Sequence, residues 1–166
     1  MSRLAFSLLL LSGWCATLCA EEVSYGQHDP GVPELAVLEH FVGKWDGRLQ
    51  GSEEVIHATR KWVLSGKFIK HDFDLASGGL SGTIYRGYDR ERNRYTMVMV
   101  DSQGTVSLLA GYWSETLKTL TFESVDVSCP IKKYESYFPD DQTEQWTITT
   151  QGENSAELHG TAKKQP

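Results

Sequence analysis

From Gly43 onward the sequence is a succession of short β-prone segments separated by turn residues. The segments recur about every 8–12 residues, a spacing typical of antiparallel sandwiches and barrels. No second long helical pattern interrupts them, so the crossovers of a parallel sheet are not expected. About ten strands are predicted, at residues 44–50, 54–64, 67–75, 80–89, 94–101, 105–114, 119–127, 131–138, 143–150 and 156–163. Because so large an open sheet would leave unpaired edges, the pattern favours a closed, up-and-down antiparallel barrel in an all-β protein.

One short N-terminal helix is predicted before the strands. It opens at Pro33, a residue tolerated in a first helical turn, and Gly43 is expected to end it. Its apolar positions recur at helical spacing, at Leu35, Leu38, Phe41 and Val42. Residues 21–32 are polar and contain glycine and proline, which indicates an irregular lead-in. Residues 33–166 have the length of a single domain.

Residues 1–20 have the pattern of a secretory signal peptide. Arg3 precedes an apolar run without acidic residues, and Ala20 stands at the expected cleavage point. The run is too short to span a bilayer. We therefore expect an exported protein, periplasmic or extracellular, that has no membrane attachment after cleavage. Lipidation of Cys19 is an alternative, although Leu18 before it fits a lipoprotein signal poorly.

The charge balance excludes some classes of partner. The full chain has 16 basic and 22 acidic residues, so loss of Arg3 with the signal leaves 15 against 22, a net charge of −7. This excess of acid argues against nucleic-acid binding and against docking on anionic membrane. Cys129 is the one cysteine that remains after cleavage, so no internal disulfide is expected.

A G-x-W-x-G run, formed by Gly43, Trp45 and Gly47, directly follows the short helix. It resembles the opening of calycin barrels, the group that includes lipocalins and fatty-acid-binding proteins. In lipocalins the equivalent tryptophan plugs the closed end of the barrel, and a basic residue of the last strand stacks on it. The resemblance implies that Trp45 is a structural plug and that Lys163 or Lys164 is its cationic partner.

Further short motifs follow in order along the chain: Gly66-Lys67-Phe68-Ile69, Gly82, Gly87-Tyr88-Asp89, Val100-Asp101-Ser102, Gly111-Tyr112 and Trp146. From Pro33 to Lys164 this series resembles the bacterial domain-of-unknown-function family 1579, which is related to the calycins. The chain departs from the family at Met99, where tryptophan is frequent. It also departs at residues 161–163, where an aromatic–Thr–Arg run is frequent. The family has no agreed activity, so the resemblance implies a calycin-like barrel and no reaction.

Strand alternation suggests a ligand pocket inside the barrel. His71 shares a face with Ile69 and Phe73, whereas Asp72 and Asp74 lie on the opposite face, so these groups do not converge on a metal. The expected pocket combines aromatic and methionine side chains with one histidine, a composition common in ligand sites. Its candidate residues are His71, Phe73, Tyr85, Met97, Met99 and Trp146. The alternative is that these side chains are ordinary core.

The outer surface offers a second candidate site. Met97 and Met99 share one face of their strand, and Val98 and Val100 share the other. One of these faces must lie outside the barrel, where an apolar strip could support a homodimer.

A haem-binding alternative comes from nitrobindin-type barrels, whose G-x-W-x-G-x-G opening is similar to this one. Those barrels bind haem through a histidine near the C-terminus, which would be His159 here. However, Leu49 stands at the third glycine position, and His159 shares a polar face with Glu157 and Thr161. No cofactor is therefore predicted.

The favoured function is an exported protein that binds a small apolar or amphipathic molecule inside its barrel. A non-catalytic interaction or structural module with a filled core is the alternative, and an enzyme is less favoured. The sequence has no nucleophile elbow, and nothing in it indicates a lowered thiol pKa at Cys129. No catalytic or metal-binding residue is predicted.

Overall fold

The computed structural model describes residues 24–153 and 155–166. The predicted signal peptide, residues 1–20, lies outside the described residues. A 3₁₀ helix spans Pro33–Phe41. Ten strands follow: β1 (Gly43–Leu49), β2 (Val55–Val63), β3 (Phe68–Leu75), β4 (Ser81–Asp89), β5 (Arg94–Asp101), β6 (Val106–Ser114), β7 (Thr119–Ser124), β8 (Ile131–Asp140), β9 (Thr143–Thr150) and β10 (Glu157–Lys164).

The strands form one closed antiparallel barrel. Each strand pairs with the next along the chain, and β10 pairs with β1 to complete the circle. The closing register places Trp45 opposite Lys164 and Gly47 opposite Ala162. Closure leaves no unpaired edge among the strands of the described residues, and the predicted all-β, up-and-down, calycin-like barrel with one short helix is confirmed.

The short helix packs against one end of the barrel. A 3₁₀ helix has about three residues per turn, so Leu35, Leu38 and Phe41 lie along one side, and all three are buried. Hydrogen bonds from strand side chains attach the helix to the barrel. The Tyr95 hydroxyl donates to the carbonyl of Glu34 at 2.8 Å. The Trp62 indole Nε1 donates to the Glu39 carboxylate, also at 2.8 Å.

The barrel interior is divided between two apolar clusters. The larger cluster joins the helix to the inward side chains of most strands. The smaller cluster contains Trp45, Ala58 and Ala162, with Phe73 packed against it. No helix within the described residues combines the length and the apolar character needed to cross a membrane.

Candidate functional site

The barrel contains a small cavity of about 110 Å³ that is partly open to solvent. Its wall is mainly apolar, and the polar side chains among its lining are those of Arg60, His71 and Tyr134. The apolar part of the lining is formed by Trp45, Gly47, Ile56, Ala58, Phe73, Ile84, Met99, Trp146, Ile148 and Ala162. A cavity near 150 Å³ with apolar walls accepts a benzene molecule, so this space suits a ligand of about one ring.

The cavity has a deep end and an outer end. Along β2 the chain runs from Ile56 to Trp62, and Trp62 bonds to the helix. Arg60 therefore lies nearer the helix-closed end, and Ile56 lies nearer the opposite end. His71 is the cross-strand neighbour of Arg60, which puts the two polar groups together at the base of the cavity.

Four of the six predicted pocket residues line this cavity: His71, Phe73, Met99 and Trp146. Met97 points inward as well, but it is almost fully buried in the larger apolar cluster and does not line the cavity. It pairs with Arg86 and Leu109, one alternation step nearer the helix than Met99. The wall at Trp146 depends on Gly160, because a Cβ there would overlap the indole ring.

Tyr85 does not face the cavity, contrary to the expectation from sequence. Its neighbours Ile84 and Arg86 are both buried inside the barrel, so strand alternation places Tyr85 on the outer face. The sequence pattern was misleading here because an arginine, rather than the tyrosine, takes the inward position.

Trp45 is almost fully buried, as a plug requires, and its Nε1 donates to the carbonyl of Phe41 at 2.8 Å. Of the two lysines expected as its cationic partner, Lys164 lies near the ring, and Arg60 is a neighbour that was not expected. The guanidinium of Arg60 lies 4.8 Å from the indole centroid, and the ammonium of Lys164 lies at 5.7 Å. Lys163 points away and donates to Thr143 Oγ1 at 2.5 Å. Of the two expected lysines, Lys164 rather than Lys163 thus lies beside Trp45, and Arg60 lies nearer to the ring than either.

A buried charged cluster lies at the base of the cavity. Arg60 Nη1 and Glu144 Oε2 form an ion pair at 2.7 Å, although the two atoms are not aligned for a linear hydrogen bond. The Ser136 hydroxyl donates to Glu144 Oε1 at 2.6 Å. Arg86 is fully buried, and its Nη1 lies 3.0 Å from His71 Nδ1. The cluster thus joins two arginines, one glutamate and one histidine inside the barrel.

The contact with Arg86 determines the protonation state and the tautomer of His71. A guanidinium can only donate hydrogen bonds, so His71 Nδ1 must accept and must be unprotonated. The ring proton of the neutral form is then on Nε2. Burial lowers the pKa of His71 well below 6.5, and the positive charges of Arg60 and Arg86 lower it further. His71 is therefore a neutral residue that presents an N–H donor.

We expect this arrangement to make stability depend on pH. Below about pH 6.5 the unfolded chain binds a proton at His71 that the folded state rejects, so stability falls as the pH is lowered. The groups facing His71 are the two arginines, Tyr134 and, through Arg60, Glu144. Between pH 7.5 and 5.5 this histidine should cost about 1 kcal/mol of unfolding free energy, measured by urea denaturation.

The matched variant is His71→Asn, because its Oδ1 can still accept from Arg86 but does not titrate. The difference in the pH dependence of unfolding free energy between wild type and variant gives the contribution of His71, since the other histidines are common to both. If the stabilities of wild type and variant changed with pH in parallel, His71 would be protonated in the folded protein as well, and the prediction would be wrong.

The remaining candidates lie outside the barrel. His159 is exposed and contacts Glu157 Oε1 at 3.0 Å and Thr147 Oγ1 at 3.1 Å. Val100 lies on the outer face, beside an exposed strip of β6 that contains Val106, Leu108 and Tyr112. Within residues 24–153 and 155–166, no group of three or more His, Cys, Asp or Glu side chains could hold a metal ion.

A protein-family model matches most of the chain. The family described as "Protein of unknown function (DUF1579)" matches residues 32–157. The chain belongs to this family. The match covers the helix, nine strands and the first residue of β10, including every residue of the buried charged cluster. A search of curated proteins found none that matches.

Three residues of the cluster, Arg60, Arg86 and Glu144, were not predicted from sequence. Strand alternation places each of them on the same face as an apolar residue two positions away, but it does not show that the three meet. Arg60 stands between Ala58 and Trp62, each two residues away on the same face. Because charged residues in strands are usually solvated, these three were not expected inside the barrel.

Proposed function

We propose that this family member is an exported protein that binds a small, mainly apolar molecule inside its barrel. The observation that carries the proposal is the cavity, which a fully packed structural barrel would not need. Closed barrels of this size can hold one small ligand among inward side chains. The cavity also has the usual composition of a binding site, with aromatic and aliphatic walls and a few polar groups at one end.

The volume limits the size of the occupant. Drug-sized ligands occupy pockets of about 300–1,000 Å³, and this cavity is much smaller. Protein cavities of this order accept single rings. The ligand we propose therefore has one ring or a short branched chain.

Filling the cavity should abolish binding. In Ala162→Leu the longer side chain extends from β10 into the space facing Gly47. The control is Ala110→Leu, because Ala110 lies between inward-facing Leu109 and Gly111 and so points outward. Native mass spectrometry of protein produced from the full chain, with and without added toluene, provides the measurement. We expect added mass on wild type and on Ala110→Leu, and none on Ala162→Leu.

If the two leucine variants bound toluene to the same extent as wild type, the bound molecule would lie outside the barrel, which would contradict the proposal. If the wild-type protein bound no toluene at millimolar concentration, the alternative of a filled structural barrel would be favoured.

A further inference from the structure

The charges inside the barrel do not cancel. Among the described residues, the buried side chains of arginine, lysine, histidine, aspartate and glutamate are those of Arg60, Arg86, His71 and Glu144. Guanidinium groups remain protonated in proteins, His71 is neutral, and Glu144 is the one buried carboxylate among the described residues. The sum is one uncompensated positive charge. Buried charges are normally paired, so the interior is complementary to one negative charge.

Hydrogen-bond donors are also left unused. Arg60 Nε is buried and has no hydrogen-bond partner among the described residues. Arg86 Nε and Nη2 are buried as well and make no hydrogen bond of good geometry, although the Tyr134 hydroxyl lies near this guanidinium. His71 uses Nδ1 toward Arg86, and no hydrogen bond of its Nε2 occurs in the described part of the chain. Buried polar groups without partners are uncommon and destabilising, and they call for an explanation such as an absent ligand.

These donors adjoin the cavity. Arg60 and His71 both line it, and Arg86 lies directly behind His71. The aromatic faces of Trp45 and Phe41 lie over the two guanidiniums and offset part of the charge, but a ring face accepts no conventional hydrogen bond from Arg60 Nε. The cavity therefore has a cationic, donor-rich base below an apolar wall.

We infer that the ligand is a small monocarboxylate, whose carboxylate accepts hydrogen bonds from Arg60 Nε and His71 Nε2 at the base of the cavity. Its apolar body occupies the space between Phe73 and Trp146. A single negative charge matches the excess charge of the cluster, whereas a dianionic phosphate would reverse it. Arg86 acts through His71 as a positioning residue, because it holds the ring in the tautomer that donates into the cavity. This inference rests on the proposed function and gives its ligand a chemical class.

The test compares benzoate with nitrobenzene, which has the same shape and no net charge. Isothermal titration calorimetry on the protein produced from the full chain at pH 7 should show at least tenfold tighter binding of benzoate, about 1.4 kcal/mol. His71→Asn removes the N–H at the Nε2 position, which the shorter amide does not reach, and Arg60→Lys removes the Nε–H, while both variants keep the charge of the cluster unchanged. Each should reduce the preference for benzoate at least threefold and leave nitrobenzene binding in place. His57→Asn is the control, because His57 is exposed on the outer face of β2.

The outcomes separate the two claims. Equal binding of benzoate and nitrobenzene would overturn the carboxylate assignment and leave the proposed cavity function intact. If both donor variants retained the preference for benzoate, the anion would bind elsewhere, and the proposed carboxylate site at Arg60 and His71 would be wrong. Absence of binding by either compound at millimolar concentration would contradict the inference and the proposed function together. If a variant fails to fold, the comparison of the two ligands on wild type still decides the charge preference.

Discussion

Glu144→Gln should lower the free energy of unfolding by about 3–5 kcal/mol, the usual cost of removing one partner of a buried ion pair. Glu144 is fully buried, and both carboxylate oxygens have close partners, in Ser136 and Arg60. The glutamine variant keeps the shape of the side chain and removes its charge. Two guanidiniums then remain inside the barrel without a counter-charge. Urea denaturation midpoints, compared at constant m-value, provide the measurement.

Two further variants show whether charge is the cause. Glu123→Gln removes an exposed carboxylate from β7 and should change stability by no more than about 0.5 kcal/mol. The double variant Glu144→Gln/Arg60→Met removes both members of the pair and should recover part of the loss, because one of the two uncompensated guanidiniums is gone. A double variant that is as unstable as the sum of its single variants would contradict this explanation.

The barrel could be predicted from sequence because its turns have strong local signals. Glycine, asparagine and aspartate recur between β-prone runs, and they mark where each strand must end. The C-terminal end of β7 was less predictable, since Val125 and Val127 have high strand propensity. The strand instead ends at Ser124, whose hydroxyl accepts from the backbone of Asp126 and begins a bend. Val127 is then 95% exposed.

The cavity was partly predictable and its charged base was not. Inward positions follow from alternation within one strand, and Phe73 shows this, because it shares a face with Ile69 and His71. The charged cluster depends on register between β2, β4 and β9, which are far apart in sequence. No local pattern shows that Arg60 on one strand meets Glu144 on another. Closure of the barrel brings these strands around a common interior.

Trp45→Ala should lower the unfolding free energy by about 3–5 kcal/mol, the range measured for buried tryptophan and phenylalanine truncations. Only 1% of Trp45 is exposed, and its ring covers one side of Arg60 and lines the cavity. Truncation leaves a large void, and it also removes the π-face that partly compensates the excess charge. Thermal and urea unfolding of the full-chain protein provide the measurement.

Trp45→Phe separates packing from hydrogen bonding at this position. The phenyl ring keeps an aromatic face beside Arg60 but cannot donate to the Phe41 carbonyl at the end of the helix. We expect a loss of about 1–3 kcal/mol, smaller than that of the alanine variant. Tyr112→Ala is the surface control, since Tyr112 is exposed on β6. A Trp45→Ala variant no less stable than Tyr112→Ala would contradict the role of Trp45 as the plug, because the barrel would then close without it.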